Sequence, residues 1–254
     1  MFTSILLAGC LISPVAMADS CRHQRDINFD VSTASLKRLD IDVGAGRLEI
    51  RGAPGSDDVS VRARACADSR GQLDDMELRQ SRRGDTLSIS SEITSSRMPF
   101  TLFGNRYAYI DVVITVPDGL DIEIEDGSGD IVIEDAAGDF SIDDGSGDIT
   151  VRRVVGDIRV DDGSGDIRLE DITGSVRVED GSGSIILNRI SDNVHIADDG
   201  SGSIRVQTVG GNVIIDEDGS GDINVYDVTG DFIARDTGSG DVDYSGIGGR
   251  VDVR

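Results

Sequence analysis

Asp126-Gly127-Ser128-Gly129-Asp130 is the stretch whose reading decides the fold. Gly-Ser-Gly returns with its first glycine at Gly127, Gly145, Gly163, Gly181, Gly200, Gly219 and Gly238, at spacings of 18, 18, 18, 19, 19 and 19 residues. Self-similarity at one short period marks a stacked repeat, in which a unit buries its apolar face only against its neighbours. In the copy that opens at Gly145, Ile149-Thr150-Val151 alternates apolar and polar with the period of a strand. A second turn, Val155-Gly156-Asp157, leads into a second strand, Ile158-Arg159-Val160. Each coil therefore holds two short strands and two turns.

Stacked in register, the coils give inward apolar columns. One reads Ile131, Ile149, Ile167, Ile185, Ile204, Ile223, Val242, and its partner runs from Ile133 to Tyr244. The second strand contributes the columns from Phe140 to Val251 and from Ile142 to Val253, and a fifth runs from Ala136 to Ile247 between the strands. The intervening positions, Arg168, Arg159 and His195 among them, face out and share no chemical theme. The longer spacing after Gly181 places one extra residue in the turn before Gly-Ser-Gly, where it spares the strand register. The pattern predicts an all-β fold, a single-stranded parallel β-helix (β-solenoid) of 18–19 residues per coil.

The chain divides into three. Residues 1–18 are uncharged and mostly apolar and end in Ala16-Met17-Ala18, a cleavage signal before Asp19, so they read as a secretory signal peptide. A competing reading takes Leu7-Ala8-Gly9-Cys10 as a lipobox, with Cys10 carrying a lipid anchor. No later apolar run approaches the ~20 residues of a membrane helix. Residues 19–119 are predicted as irregular earlier coils and the N-terminal cap, with candidate strands over 38–43, 47–51, 59–65, 76–80, 86–90 and 109–116, and residues 120–254 as the regular solenoid. In an exported chain Cys21 and Cys66 read as one disulfide, the alternative being two free thiols. Phe100, Leu102, Phe103 and Tyr107 lie in one aromatic stretch, either an apolar contact loop or a cover over an open solenoid edge.

Charge is uneven. The net charge is −24; residues 1–119 hold 16 acidic and 14 basic residues, and residues 120–254 hold 32 and 10. Such a surface repels nucleic acid and anionic headgroups and attracts cations and basic partners. It also keeps a long β-structure soluble. Stacking sets Asp126, Asp144, Asp162, Asp180, Asp199 and Asp218 in one column along an acidic edge, with Asp130, Asp148, Asp166, Ser184, Ser203, Asp222 and Asp241 across the turn. Carboxylates about 4.8 Å apart repel, so the column is expected to splay into solvent, cap turn amides or share cations. Hard oxygen ligands in a glycine-rich turn suit Ca²⁺. Asp216, Asp218 and Asp222, in Asp216-Glu217-Asp218-Gly219-Ser220-Gly221-Asp222, and Asp162 with Asp166 are the candidate ligands; the serines at 184 and 203 argue against a uniform metal ladder.

No catalytic constellation is visible. The two histidines, His23 and His195, read as ordinary surface residues, and no H-E-x-x-H, paired C-x-x-C or P-loop occurs. Some parallel β-helices cleave polysaccharides with acidic clusters, but these coils are minimal, lack loops to wall a sugar cleft and carry no Trp.

Units such as Gly156-Asp157-Ile158-Arg159-Val160 and Asp162-Gly163-Ser164-Gly165-Asp166-Ile167-Arg168-Leu169 resemble those of a bacterial exported β-strand-repeat family of unknown function, often labelled adhesin-like. The resemblance covers most of residues 38–253. It implies a right-handed helix, in keeping with the general handedness of crossovers, and an extracytoplasmic location, in the periplasm or at the bacterial cell surface. It brings no catalytic residues. The expected function is a non-enzymatic structural or interaction module of the cell envelope, with an envelope protein or glycan as partner. The alternatives are a calcium-binding module with calcium-dependent partner binding and, more weakly, a polysaccharide-active enzyme.

Overall fold

The computed structural model describes residues 21–93 and 107–254. Two 11-stranded sheets enclose one apolar core. One sheet takes the strand after each Gly-Ser-Gly, such as Ile149–Val155 and Ile167–Thr173, and the other takes the second strand, such as Ile158–Asp162 and Val176–Asp180. Through the repeats every pairing is parallel, as in Ile149↔Ile167 and Ile158↔Val176. The chain is a β-solenoid, and the apolar columns are its interior: Ile167, Leu169, Val160 and Val178 are fully buried. Tyr244 and Val253, assigned inward by the repeat, are instead exposed, because their coil has a neighbour on one side only among the described residues. Tyr244 still leans on Phe232, with ring centroids 5.8 Å apart.

Hydrogen bonding continues through the corners. The Gly147 amide donates to Ser164 O and the Gly165 amide to Ser182 O, each at 3.0 Å. This close stacking explains the second glycine of the motif. Gly165 has φ +145°, and a Cβ there would lie 1.8 Å from the Gly147 carbonyl oxygen of the preceding coil. The residue is glycine for its dihedral and for the room.

The extra residue of the later coils sits in the strand, not in the turn. Val178 pairs with Ile196, but Glu179 pairs with Asp198, so Ala197 is bulged out near the end of Val194–Asp199. The bulge absorbs the insertion locally, and the aspartate that follows keeps its column.

Residues 21–93 join the same two sheets, but not as successive parallel coils. The coil of Arg38–Val43 and Leu48–Gly52 lies directly against Asp121–Asp126 and Ile131–Glu134. Thr86–Ile93 and Ala108–Val116 stack on its far side, so a later coil lies outside an earlier one. Beyond them the pairing turns antiparallel: Met76–Arg83 on Thr86–Ile93, Asp58–Ala67 on Ala108–Val116, and His23–Ser32 on Asp58–Ala67. The reason is local for the first pair. Arg83 and Thr86 are partners joined by Gly84-Asp85 alone, with Gly84 at φ 62°. A two-residue link makes a hairpin and cannot make a parallel crossover. The strand His23–Ser32 and the short helix Arg70–Asp74, capped by Ser69, add to the expected elements; Ile27, Phe29 and Val31 alternate with polar residues with the period of a strand, whereas the five-residue helix is too short to show a period.

Cys21 and Cys66 form a disulfide, with Cα atoms 5.7 Å apart and a sequence separation of 45. It clamps the segment before His23–Ser32 to the neighbouring strand Asp58–Ala67. Closing a loop of that length stabilises by about 4 kcal/mol in the chain-entropy account. Non-reduced tryptic peptides of exported protein should show Cys21 linked to Cys66 by mass spectrometry, and reduction should lower the urea midpoint. Two alkylatable thiols in the folded protein would contradict this.

Candidate functional site

The aspartate column lies inside the solenoid. Asp126, Asp144, Asp162, Asp180, Asp199 and Asp218 are between 0% and 6% exposed, so of the three arrangements expected for the column they do not splay into solvent. They continue the inward face of the second strand, as Ile158, Val160 and Asp162 show by alternating buried with exposed neighbours. In the first four coils one oxygen caps the turn: Oδ1 of Asp126, Asp144, Asp162 and Asp180 accepts from the amide of Ser128, Ser146, Ser164 and Ser182 at 3.3, 3.1, 3.0 and 3.0 Å. Their Oδ2 atoms are buried without a partner, as are both oxygens of Asp199 and Asp218. The Ser201 and Ser220 amides lie near enough to favour the charged forms of these last two, but not in normal hydrogen-bond geometry. Burial pushes the carboxyls up, Asp126, Asp162 and Asp218 to about 6 and Asp144 and Asp199 to about 7. The turn amides oppose the shift, and neighbouring carboxylates add to it at Asp144 and Asp199.

The other acidic columns do structural work on the surface. Oδ1 of Asp130, Asp148 and Asp166 accepts from the backbone amide of Asp148, Asp166 and Ser184 on the next coil, at 3.4, 3.1 and 2.9 Å. Asp222 does the same for Asp241 at 3.2 Å. Asp139 and Asp157, then Asn193 and Asn212, make an equivalent ladder at the other corner. A third corner is held in the left-handed region by residues other than glycine: Asp135, Arg153, Asp171, Arg189, Thr208 and Asp227, at φ 54–60°. Arg153 grips Asp135 with two bonds, at 2.6 and 3.0 Å, and Arg189 grips Asp171 in the same way. These bonds hold both carboxyls below the usual carboxylate range.

A groove of about 550 Å³ runs over six successive coils on the outer face of the second-strand sheet. The backbone of Phe140, Ile158 and Val176, whose side chains are buried in the core, runs beneath it, and Arg38, Arg159, Arg177 and His195 are the basic residues along it. Arg159 and Arg177 both reach Glu179, at 3.2 and 2.8 Å. Arg177 Nη1 lies 2.6 Å from His195 Nδ1, and His195 Nε2 lies 2.8 Å from Asp216. Arginine only donates, so Nδ1 accepts and the ring carries its proton on Nε2, donating to Asp216. Both ring nitrogens are thus engaged, and neither is free to take a proton from a hydroxyl. His195 and Arg235 hold the Asp216 carboxyl below its ordinary value.

The five candidate calcium ligands are not brought together. Asp162 and Asp218 are inside, Asp166 and Asp222 cap the next coil outside, and Asp216 is bound by His195 and Arg235. Among the described residues no group of three or more His, Cys, Asp or Glu is placed to hold a metal ion. Of the aromatic stretch, Phe100, Leu102 and Phe103 fall outside the described residues. Tyr107 is half-buried; its hydroxyl accepts from the Arg22 amide at 3.1 Å, and its carbonyl accepts from the Asp68 amide.

The Toastrack DUF4097 family profile matches residues 36–225. The chain belongs to this family. The Toastrack match takes in both the out-of-order coils and most of the regular repeats. A candidate adhesin from Bacteroides fragilis shares the fold at 17% identity, with 91% of this chain and 97% of that chain covered and a TM-score of 0.51. A candidate lipid-binding protein from Parabacteroides distasonis aligns at 18% identity over 89% and 93% of the two chains, with a TM-score of 0.47. No curated protein matches the chain. No helix among the described residues is long and apolar enough to cross a membrane.

Proposed function

We propose that this Toastrack protein is a non-enzymatic interaction module of the cell envelope, exported by residues 1–18, that holds an envelope protein or glycan along the groove of the second-strand sheet. The observation that carries this reading is the groove itself. It presents Arg159, Arg177 and His195 from three consecutive coils, about 4.8 Å apart. That is a linear array suited to an extended or repeating partner. The adhesin-like character of the Bacteroides fragilis protein supports the reading. The enzymatic alternative is disfavoured by His195, whose two nitrogens are both in use.

The competing reading is calcium-dependent partner binding, whose candidate ligands Asp162, Asp166, Asp216, Asp218 and Asp222 are spread apart. One experiment addresses both. Envelope extract is passed over immobilised wild-type protein and an Arg159→Ala/Arg177→Ala variant, each with and without chelator. A defined set of components held by the wild type and reduced about tenfold by the variant is the expected result, corresponding to about 1.4 kcal/mol. Equal retention by both proteins would remove the groove from the argument. Loss on chelation alone would favour calcium.

A further inference from the structure

Six carboxyls stacked inside a solenoid cannot all be ionised at little cost. Charges about one strand spacing apart in a water-poor interior repel strongly, and a group so placed takes a proton instead. Here the stack is unbroken: Asp126, Asp144, Asp162 and Asp180 pair in register through consecutive coils, and Asp199 and Asp218 bridge beyond them. Only backbone amides counter their charge. Among the described residues no arginine, lysine or histidine is bonded to any of the six, and Oδ2 of Asp126, Asp144, Asp162 and Asp180 and both oxygens of Asp199 and Asp218 are buried without partners. The charged groups that act on the column from outside it are carboxylates too: Asp148 on Asp162, Asp166 on Asp180, Asp236 on Asp218 and, from the same strand, Asp198 on Asp199.

We propose that the six buried aspartates form a proton-binding column: the folded chain holds protons there that the unfolded chain gives up to solvent at neutral pH, so mild acid tightens the solenoid. Asparagine at these positions would imitate the protonated side chain in shape and charge. The inference is independent of the partner-binding reading.

The direction follows from linkage. The column carboxyls sit above their ordinary 3.8 in the folded chain, so the folded chain binds more protons than the unfolded one between about 4 and 7. Stability from the column is full below 3.8 and is lost as the pH rises through the folded values of about 6 to 7. The ion-paired carboxyls Asp30, Asp135, Asp171, Asp216 and Asp252 work the other way, but their contribution is lost only as the pH falls below that same 3.8. Glu179, held below its ordinary 4.5, behaves alike.

The test is a thermal melt of the full chain from pH 8 to pH 5 at constant ionic strength, in sodium salts. The Tm should rise by about 5 °C or more on acidification. The Asp144→Asn/Asp162→Asn/Asp180→Asn variant should melt higher than wild type at pH 8 and respond less to pH. If that variant does not fold, refolding of the wild type in weakly buffered solution at pH 6 gives a second readout, an uptake of about one proton or more per chain. A Tm that is flat or falls between pH 8 and 5, or refolding without proton uptake, would overturn the proposal. So would a melt at pH 8 that millimolar Ca²⁺ raises above Na⁺ at matched ionic strength while proton uptake is absent, since the column would then be a metal site.

Discussion

Gly165→Ala is expected to destabilise the protein by about 4 kcal/mol or more, enough to abolish a cooperative urea transition in many domains of this size. The added methyl would lie 1.8 Å from the Gly147 carbonyl oxygen, which belongs to backbone and cannot swing aside. Relief requires these two coils to part, and parting them breaks the corner bond from the Gly147 amide to Ser164 O. The backbone at φ +145° disfavours the side chain as well. Gly71 is the control. It lies in the helix Arg70–Asp74, and a Cβ there would meet nothing within 4 Å. Gly71→Ala should be neutral or stabilise by up to about 1 kcal/mol. Equal midpoints for the two variants would mean that the coils are not stacked this closely.

Ile167→Asp comes next in size. Ile167 is 0% exposed, between Ile149 and Ile185 of the adjoining coils. A carboxyl there has no turn amide to accept from, unlike Asp162 with Ser164. It must stay protonated and unbonded or ionise in an apolar core, at a cost of several kcal/mol, roughly 3–5. Arg168→Ser, one residue on, should cost under about 0.5 kcal/mol even though Arg168 pairs with Glu170 at 3.0 Å, because an exposed ion pair contributes little. Denaturation of the two in urea gives the comparison. Similar losses would contradict the division into inward and outward columns.

The repeat period made the solenoid legible, because one residue type recurs wherever the stacked backbone leaves no space for a side chain. The same period held the position of the buried aspartates. Ile158, Val160 and Asp162 lie two residues apart, which sets all three on one face of a strand. Composition pulled the other way: six acidic residues beside glycines read as a solvated edge, and an acid's usual preference for water outweighed the strand period. The corner of Asp135, Arg153, Asp171 and Arg189 was harder to see. Left-handed backbone at those residues follows from the bend before the fifth apolar column, and nothing in an Asp/Arg alternation signals it. The out-of-order coils were not legible at all. Whether 38–52 touches 86–116 or 121–134 depends on which strands meet in space, and every one of those strands has the same period.

That crossed order bears on how the chain finds its shape. In the repeats a coil's partner is near at hand: the Asp148 amide bonds Asp130, 18 residues away. At Gly44 the partners are remote, Ser91 at 47 residues and Ser128 at 84. By loop-closure entropy alone, joining ends 84 apart costs about 1.4 kcal/mol more than joining ends 18 apart. The low-contact-order repeats can therefore zip along the axis from any starting coil, whereas the segment around Gly44 must wait for chain on both sides to be made. During synthesis the first strands to emerge are then among the last to be secured, and their unpaired edges stay open to other chains until the repeat section is in place.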